Sequence, residues 1–141
     1  METLEQRSDR ARYLESTRDI YEALTTGSDP EQAPFPLMKD VFMYAACIGF
    51  KKGIRRPLPP GKKEGIRMDV FSERDLNILK GIALAETGDI HALERKAAEP
   101  VSGQVLNIAE EYAQAGMEEL RIILNKPGYI LMNLVDQIKQ P

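Results

Sequence analysis

Hydrophobic positions recur with a helical period along most of this chain. Residues 3–25 carry one apolar stripe and predict a first helix, whose polar first ten residues are expected to fray or extend away from the core. The segment from Leu37 to Gly49 or Gly53 predicts a second helix, and its apolar residues cover more than one face. We therefore expect the second helix to lie at the centre of the core.

Start and stop signals mark the remaining helices. Ser72 is a good N-cap with Asp75 three residues later, and Gly88 is well placed to end the third helix. Later periodic segments predict a short helix, a long helix and a terminal helix, at 89–98, 102–124 and 129–139. The last of these has an apolar face that needs a partner, either the core or another subunit, so we also consider a homo-oligomer formed through the C-terminal helix.

A long irregular segment separates the second and third helices. Residues 51–65 contain three Pro and three Gly, which predicts a loop, and residues 66–71 alternate as in a short strand. The sequence thus predicts an all-α fold. We expect a single domain over residues 1–141, with five to six helices around a buried central helix and at most one short strand near 66–71. The order strand, helix, turn, helix leaves a ribbon-helix-helix module as an alternative.

Composition narrows the class of protein. The chain has 141 residues, of which 43% are hydrophobic, as in an ordinary globular domain. Its N-terminus lacks the apolar run of a signal peptide, and the longest apolar run, Val41–Phe50, is about half a membrane span. We therefore expect a cytoplasmic protein without membrane contact. Cys47, the only cysteine, lies in the most apolar helix and is predicted to be buried and inert.

Residues able to perform catalysis are sparse. His91 is the only histidine and has no metal-ligand spacing to Cys47, and no glycine-rich phosphate loop is present. Two carboxylate pairs on the long helix lie opposite its apolar stripe and predict a solvated face rather than acid–base chemistry, namely Glu110–Glu111 and Glu118–Glu119. We accordingly predict no enzyme activity, no metal and no cofactor.

Charge is distributed very unevenly. Residues 51–67 have a net charge of +6, whereas the whole chain has −3 and the remainder therefore −9. The cations predict a polyanion-binding site, because each one that meets a phosphate releases counterions, and they are Lys51, Lys52, Arg55, Arg56, Lys62, Lys63 and Arg67. Arg55 and Arg56 are the better candidates for forked phosphate contacts. An acidic protein partner and a merely solvated loop are the alternatives.

Three stretches carry a resemblance to a known family: PFPLMKDVFMYAACIGFKKGIRRPL, IRMDVFSERDLNILKGIALAETGDIHAL and, more loosely, IAEEYAQAGMEELRIIL. The block from Pro34 to Ala92 resembles the small accessory proteins encoded with bacterial DNA phosphorothioation (Dnd) systems. The resemblance implies an adaptor, a regulator or a DNA-contacting subunit beside larger enzymes of a modification or defence system. It transfers no catalytic residue. The resulting hypothesis is a non-catalytic accessory protein that contacts DNA or a partner subunit through the basic loop, and the alternative is a helical interaction module or homodimeric adaptor that does not touch nucleic acid.

Overall fold

A computed structural model describes residues 9–141, and most of them are helical. The helices are α1 (Arg18–Thr25), α2 (Met38–Lys52), α3 (Glu73–Thr87), α4 (Gly103–Leu124) and α5 (Ile130–Lys139). Two strands, β1 (Arg10–Leu14) and β2 (Lys63–Arg67), form a small antiparallel sheet. Short 3-10 turns follow both strands and α3, at Glu15–Thr17, Met68–Val70 and Ile90–Leu93. The mainly helical class predicted from the sequence is confirmed.

The predicted helix limits of α2, α3 and α4 are reproduced by specific end contacts. At the start of α3 the Ser72 hydroxyl accepts the Asp75 N–H at 3.1 Å, and the Asp75 carboxylate accepts the Ser72 N–H at 2.9 Å. Gly53 and Gly88 end α2 and α3 at φ 68° and φ 64°, in the left-handed region that favours glycine. Ser102 caps α4 by accepting the Val105 N–H at 3.1 Å.

Helices α2 and α4 form the centre of the core. They touch backbone to backbone, because a Cβ on Gly116 would lie 1.9 Å from the Ala45 carbonyl oxygen, and one on Gly49 would lie 2.1 Å from that of Tyr112. The buried central helix predicted from the sequence is α2, and α4 shares that position with thirteen buried residues of its own. Side chains from all five helices and both strands contribute to one buried cluster.

Both strands differ from the prediction, because β1 was predicted to be helical and β2 begins and ends earlier than predicted. Where a helix is predicted over residues 3–25, residues 10–14 form β1, and α1 begins only at Arg18; the part of that prediction before residue 9 lies outside the described residues. The short strand predicted near 66–71 is β2, at residues 63–67, and it pairs antiparallel with β1 so that Ala11 faces Ile66 and both are buried. Because β2 pairs with a strand of its own chain and only a 3-10 turn follows α3, the ribbon-helix-helix alternative is not formed.

Helix α5 is fixed at both ends on its neighbours. Its first turn is held where the Leu131 N–H donates to the Glu31 carbonyl oxygen at 2.9 Å. Further along, the Tyr44 hydroxyl of α2 donates to the Gln137 side chain at 2.8 Å. Leu134 and Gln137 are buried against the body of the protein. No helix within residues 9–141 has both the length and the apolar composition required to cross a bilayer.

Candidate functional site

The structure divides the seven cations of residues 51–67, which we call the basic segment, into two groups. The first group consists of Lys51, Lys52, Arg55 and Arg56. Lys51 and Lys52 lie in the last turn of α2. The Lys51 ammonium donates to two main-chain carbonyls at the end of α5, those of Ile138 and, at 2.7 Å, Gln140. Lys52 forms an ion pair with Glu119 of α4 at 3.1 Å. These two lysines thus join α2 to α5 and α4, where a cation at a helix C-terminus is also favoured by the helix dipole.

Arg55 and Arg56 fasten the loop to α3 and α4. The Arg55 guanidinium donates to Glu86 of α3 at 2.7 Å and to one carboxylate oxygen of Glu111 of α4 at 2.8 and 2.9 Å. The Arg56 N–H donates to the Glu111 main-chain oxygen at 3.0 Å, while its side chain lies 3.4 Å from Glu118 in a largely exposed pair. Arg55 is therefore a bridge between two helices.

The pKa values in this network favour its charged form. Burial acts against the charge on Arg55, but hydrogen bonds to Glu86 and Glu111 outweigh it and raise the pKa of the guanidinium. The hydrogen bond from the Tyr112 hydroxyl, followed by that from Arg55, lowers the pKa of Glu86. Burial and the same hydrogen bond to Glu86 raise the pKa of Tyr112 to about 12. At neutral pH the Arg55–Glu86 pair is thus fully ionised.

The second group of cations, Lys62, Lys63 and Arg67, lies on or next to β2 in the β1–β2 strand pair, which we call the ribbon. Lys62 is 77% exposed and lies 3.4 Å from Glu15, and the half-buried Lys63 donates from its ammonium to the Gly61 carbonyl oxygen at 3.3 Å. Arg67, 64% exposed, pairs with Asp69 two residues later. These three side chains have contacts that are easily exchanged, because exposed ion pairs contribute about 0–1 kcal/mol.

The +6 charge of the basic segment is largely compensated in three dimensions. Five of its seven cations pair with carboxylates, namely Lys52, Arg55, Arg56, Lys62 and Arg67, and the other two donate to main-chain carbonyls. The acidic partners from α3, α4 and the 3-10 turn after β1 are distant in sequence, whereas Asp69 lies two residues after Arg67. Binding of a polyanion by the seven cations stays a prediction.

Two polar residues of α4 have an environment that the sequence did not indicate. Glu110, predicted on a solvated face, is only 1% exposed, and its carboxylate accepts the Arg12 N–H of β1 at 2.7 Å with the Arg12 guanidinium 3.8 Å away. Gln114, one turn later, is also buried. The face was misjudged because residues 10–14 were predicted to be helical, and no local pattern shows that a strand edge packs there.

The candidate residues for chemistry are both at the surface. Cys47 is exposed, so the prediction of a buried thiol is wrong; the other side of α2 faces the core, and shielding by neighbouring atoms still raises the pKa of the thiol. His91 is exposed, with its Nδ1 2.6 Å from a Glu94 carboxylate oxygen. Within residues 9–141, no three His, Cys, Asp or Glu side chains are grouped so as to hold a metal ion.

Helix α5 presents apolar side chains to solvent on the side away from Leu134 and Gln137. Leu131, Met132 and Ile138 are 37%, 55% and 54% exposed. Val135 is partly exposed between them. Their spacing of three, four and seven residues places them on one side of the helix. We refer to these four residues as the apolar face of α5.

Comparison with known proteins gives one match. The family model for DNA sulphur modification system-associated protein 4 matches residues 10–140. That range includes both strands, all five helices and the whole basic segment. No curated protein and no solved structure matches the chain.

Proposed function

Since the chain belongs to the DNA sulphur modification system-associated protein 4 family, we propose that it is a non-catalytic accessory protein that docks on a larger protein of such a system. The observation that carries this proposal is the apolar face of α5, which leaves Met132 and Ile138 more than half exposed. Exposed apolar side chains that lie next to one another mark interaction sites. We place this role in the cytoplasm, beside the DNA that such systems modify.

The partner that fits this face is an amphipathic helix of the larger protein. A helix laid along α5 would bury the apolar face through contacts at helical spacing. Because α5 is already held by Glu31, Tyr44 and Lys51, its position is fixed before docking. Little ordering entropy is then lost on association.

Co-expression with the larger proteins of the system tests the proposal. We expect the wild-type chain to co-elute with one of them in size-exclusion chromatography with light scattering, and Met132→Glu to abolish co-elution. Ile90→Glu, the same kind of substitution at a 65% exposed apolar side chain outside α5, is the matched control and should leave the complex intact. If the chain alone forms a dimer that Met132→Glu dissociates, the partner is a second copy and docking on a larger protein is refuted.

Contact with DNA through Lys62, Lys63 and Arg67 is a second candidate function, and the register of the ribbon favours it. Arg10 lies directly opposite Arg67. The bonds from Glu15 N–H to Lys62 O and from Met68 N–H to Asp9 O place the two arginines at a non-hydrogen-bonded position, where side chains are closest. Like charges at such a position are unfavourable, and a phosphate between them would relieve the repulsion. The remaining four cations, Lys51, Lys52, Arg55 and Arg56, would then serve mainly to hold the fold.

Fluorescence anisotropy with duplex DNA over a range of salt concentrations tests this second candidate. The double variant Lys63→Ala/Arg67→Ala should weaken binding and reduce the slope of log affinity against log salt by about 2. Lys126→Ala, at an exposed position beyond α4, should reproduce the wild-type slope if the ribbon is the contact. Absence of binding by the wild-type chain at low salt would eliminate direct DNA contact by this chain.

A further inference from the structure

A groove with an apolar floor lies between the start of α1 and the second half of α4. Its volume is about 440 Å³, within the range of roughly 300–1,000 Å³ that is usual for ligand sites. Ile20 and Met117 form buried parts of its lining, and Ile122 lies exposed at its rim. None of its lining residues belongs to α5, so the groove is separate from the docking face proposed above.

Gln114 gives this groove a specific polar group. Gln114 lines the groove and is 8% exposed, and within residues 9–141 its side chain has no hydrogen-bond partner; its amide atoms are not fully enclosed, so the amide opens into the groove. The neighbouring turn behaves differently, since Glu110 accepts the Arg12 N–H, and the buried Gln137 accepts from Tyr44. Buried polar side chains are nearly always hydrogen-bonded. The Gln114 amide, which opens into the groove and has no partner within residues 9–141, is therefore available to a ligand that supplies one.

We infer that the groove binds an extended peptide segment of a partner protein. A side-chain amide carries a donor and an acceptor side by side, and a main-chain peptide group offers the matching acceptor and donor. Pairing of that peptide group with Gln114 gives the amide both an acceptor and a donor. An apolar side chain of the segment then covers Ile20 and Met117, which form the floor.

A nucleobase fits the groove less well, although adenine also pairs with a glutamine amide. Bases held outside a duplex stack on aromatic rings or on guanidinium planes. No aromatic residue is among those lining the groove. Its one guanidinium, that of Arg121, is already bound to both carboxylate oxygens of Asp19 at 3.0 and 3.1 Å and to the Ser16 carbonyl at 3.2 Å.

Nuclear magnetic resonance titration of the ¹⁵N-labelled full chain with N-acetyl-leucine N-methylamide tests the inference. This probe carries one apolar side chain between two peptide groups. We expect its addition to shift the Gln114 side-chain amide signals in a saturable manner and to leave those of Gln104, which is exposed in the first turn of α4, unchanged. No saturable shift of Gln114 up to the solubility limit of the probe would refute the inference.

Three variants and a second probe sharpen the outcome. Gln114→Glu replaces the donor nitrogen by an oxygen and should weaken binding about tenfold, whereas Gln104→Glu should not change it. Ile122→Ser acts at the exposed rim, so it keeps the test valid should Gln114→Glu fail to fold, and it should weaken binding severalfold. Equal affinity of wild type and Gln114→Glu, no change with Ile122→Ser, or tighter binding of adenosine than of the capped leucine would each overturn the assignment to a peptide.

Discussion

Replacement of Arg55 by alanine tests whether this residue mainly stabilises the fold or is available to bind a ligand. The guanidinium forms its shortest contacts with Glu86, at 2.7 Å, and with Glu111, at 2.8 Å. Removing it leaves two carboxylates of different helices without their shared cation. It also releases the loop that Arg55 holds across α3 and α4, so we expect the free energy of unfolding to fall.

The size of the loss follows from the contacts. Hydrogen bonds to charged groups contribute about 1.5–3 kcal/mol each, and Arg55 has such bonds to two carboxylates. Three facts reduce the total. The side chains are 19–32% exposed, so solvent screens them; Glu86 keeps the Tyr112 hydroxyl; and Glu111 keeps the Asn107 amide at 3.3 Å. We therefore expect a loss of about 2–3 kcal/mol.

Urea unfolding followed by circular dichroism measures this loss. Arg55→Met retains much of the apolar stem and should lose nearly as much as Arg55→Ala, because the guanidinium makes the bonds. Lys62→Ala removes an equally charged but 77% exposed side chain and should change stability by less than about 0.5 kcal/mol. A double-mutant cycle with Glu111→Gln should show coupling of roughly 1–2 kcal/mol. A loss below about 0.5 kcal/mol for Arg55→Ala would refute the structural role and leave Arg55 free for a polyanion.

Three further predictions concern packing, the buried carboxylate and the tyrosines. Gly116→Ala places a Cβ 1.9 Å from the Ala45 oxygen and should lower the free energy of unfolding by roughly 3 kcal/mol in thermal unfolding. The control Gly81→Ala, which has open space around it in α3, should raise stability by up to about 1 kcal/mol. Equal effects of the two substitutions would contradict the backbone contact. Glu110→Ala leaves the Arg12 N–H without this acceptor and should lower the free energy of unfolding in urea by about 2–4 kcal/mol, more than Glu110→Gln does. No loss of stability would show that water replaces the carboxylate at little cost. Burial is the largest cause of the raised pKa of four tyrosines, Tyr13, Tyr21, Tyr44 and Tyr112. The pKa is raised to about 12 for Tyr13, Tyr44 and Tyr112. The unfolded chain ionises these groups near pH 10, so the stability they contribute is present below pH 10 and is lost as the pH rises towards 12. The tyrosinate absorbance of these four side chains should therefore appear together with loss of helix, and their ionisation in an intact fold near pH 10 would contradict their burial.

The ends of the helices were predictable because they depend on neighbouring residues. Ser72 and Asp75 satisfy each other's N–H groups within one turn, and Gly88 adopts the positive φ that ends α3. Such contacts involve residues up to four positions apart and can be read from sequence spacing. The same holds for the apolar run that buries α2.

The strand pair was only half predictable because its stability comes from residues far apart in sequence. Residues 10–13 alternate between more exposed and buried positions, but Tyr13 also fits the helical stripe that continues through Ile20 and Leu24. Pairing with residues 63–67 decides between the two periods, and no local signal reports that pairing. The ion pairs of Arg55 are not visible in the local sequence for a related reason, since Glu86 and Glu111 lie 31 and 56 positions away along the chain.

The position of β1 beside α4 explains why Glu110 and Gln114 are buried, which the sequence did not indicate. Glu110 and Gln114 are one turn apart on the α4 face that meets the extended chain. The rise of one helical turn, about 5.4 Å, approaches that of two strand residues, about 6.8 Å, so successive turns of a helix can reach successive outward-facing amides of a strand edge. Glu110 does so with Arg12, whereas Gln114 faces the groove that begins where β1 ends at Leu14. An extended segment bound at Gln114 would therefore continue the interaction that α4 already makes with β1.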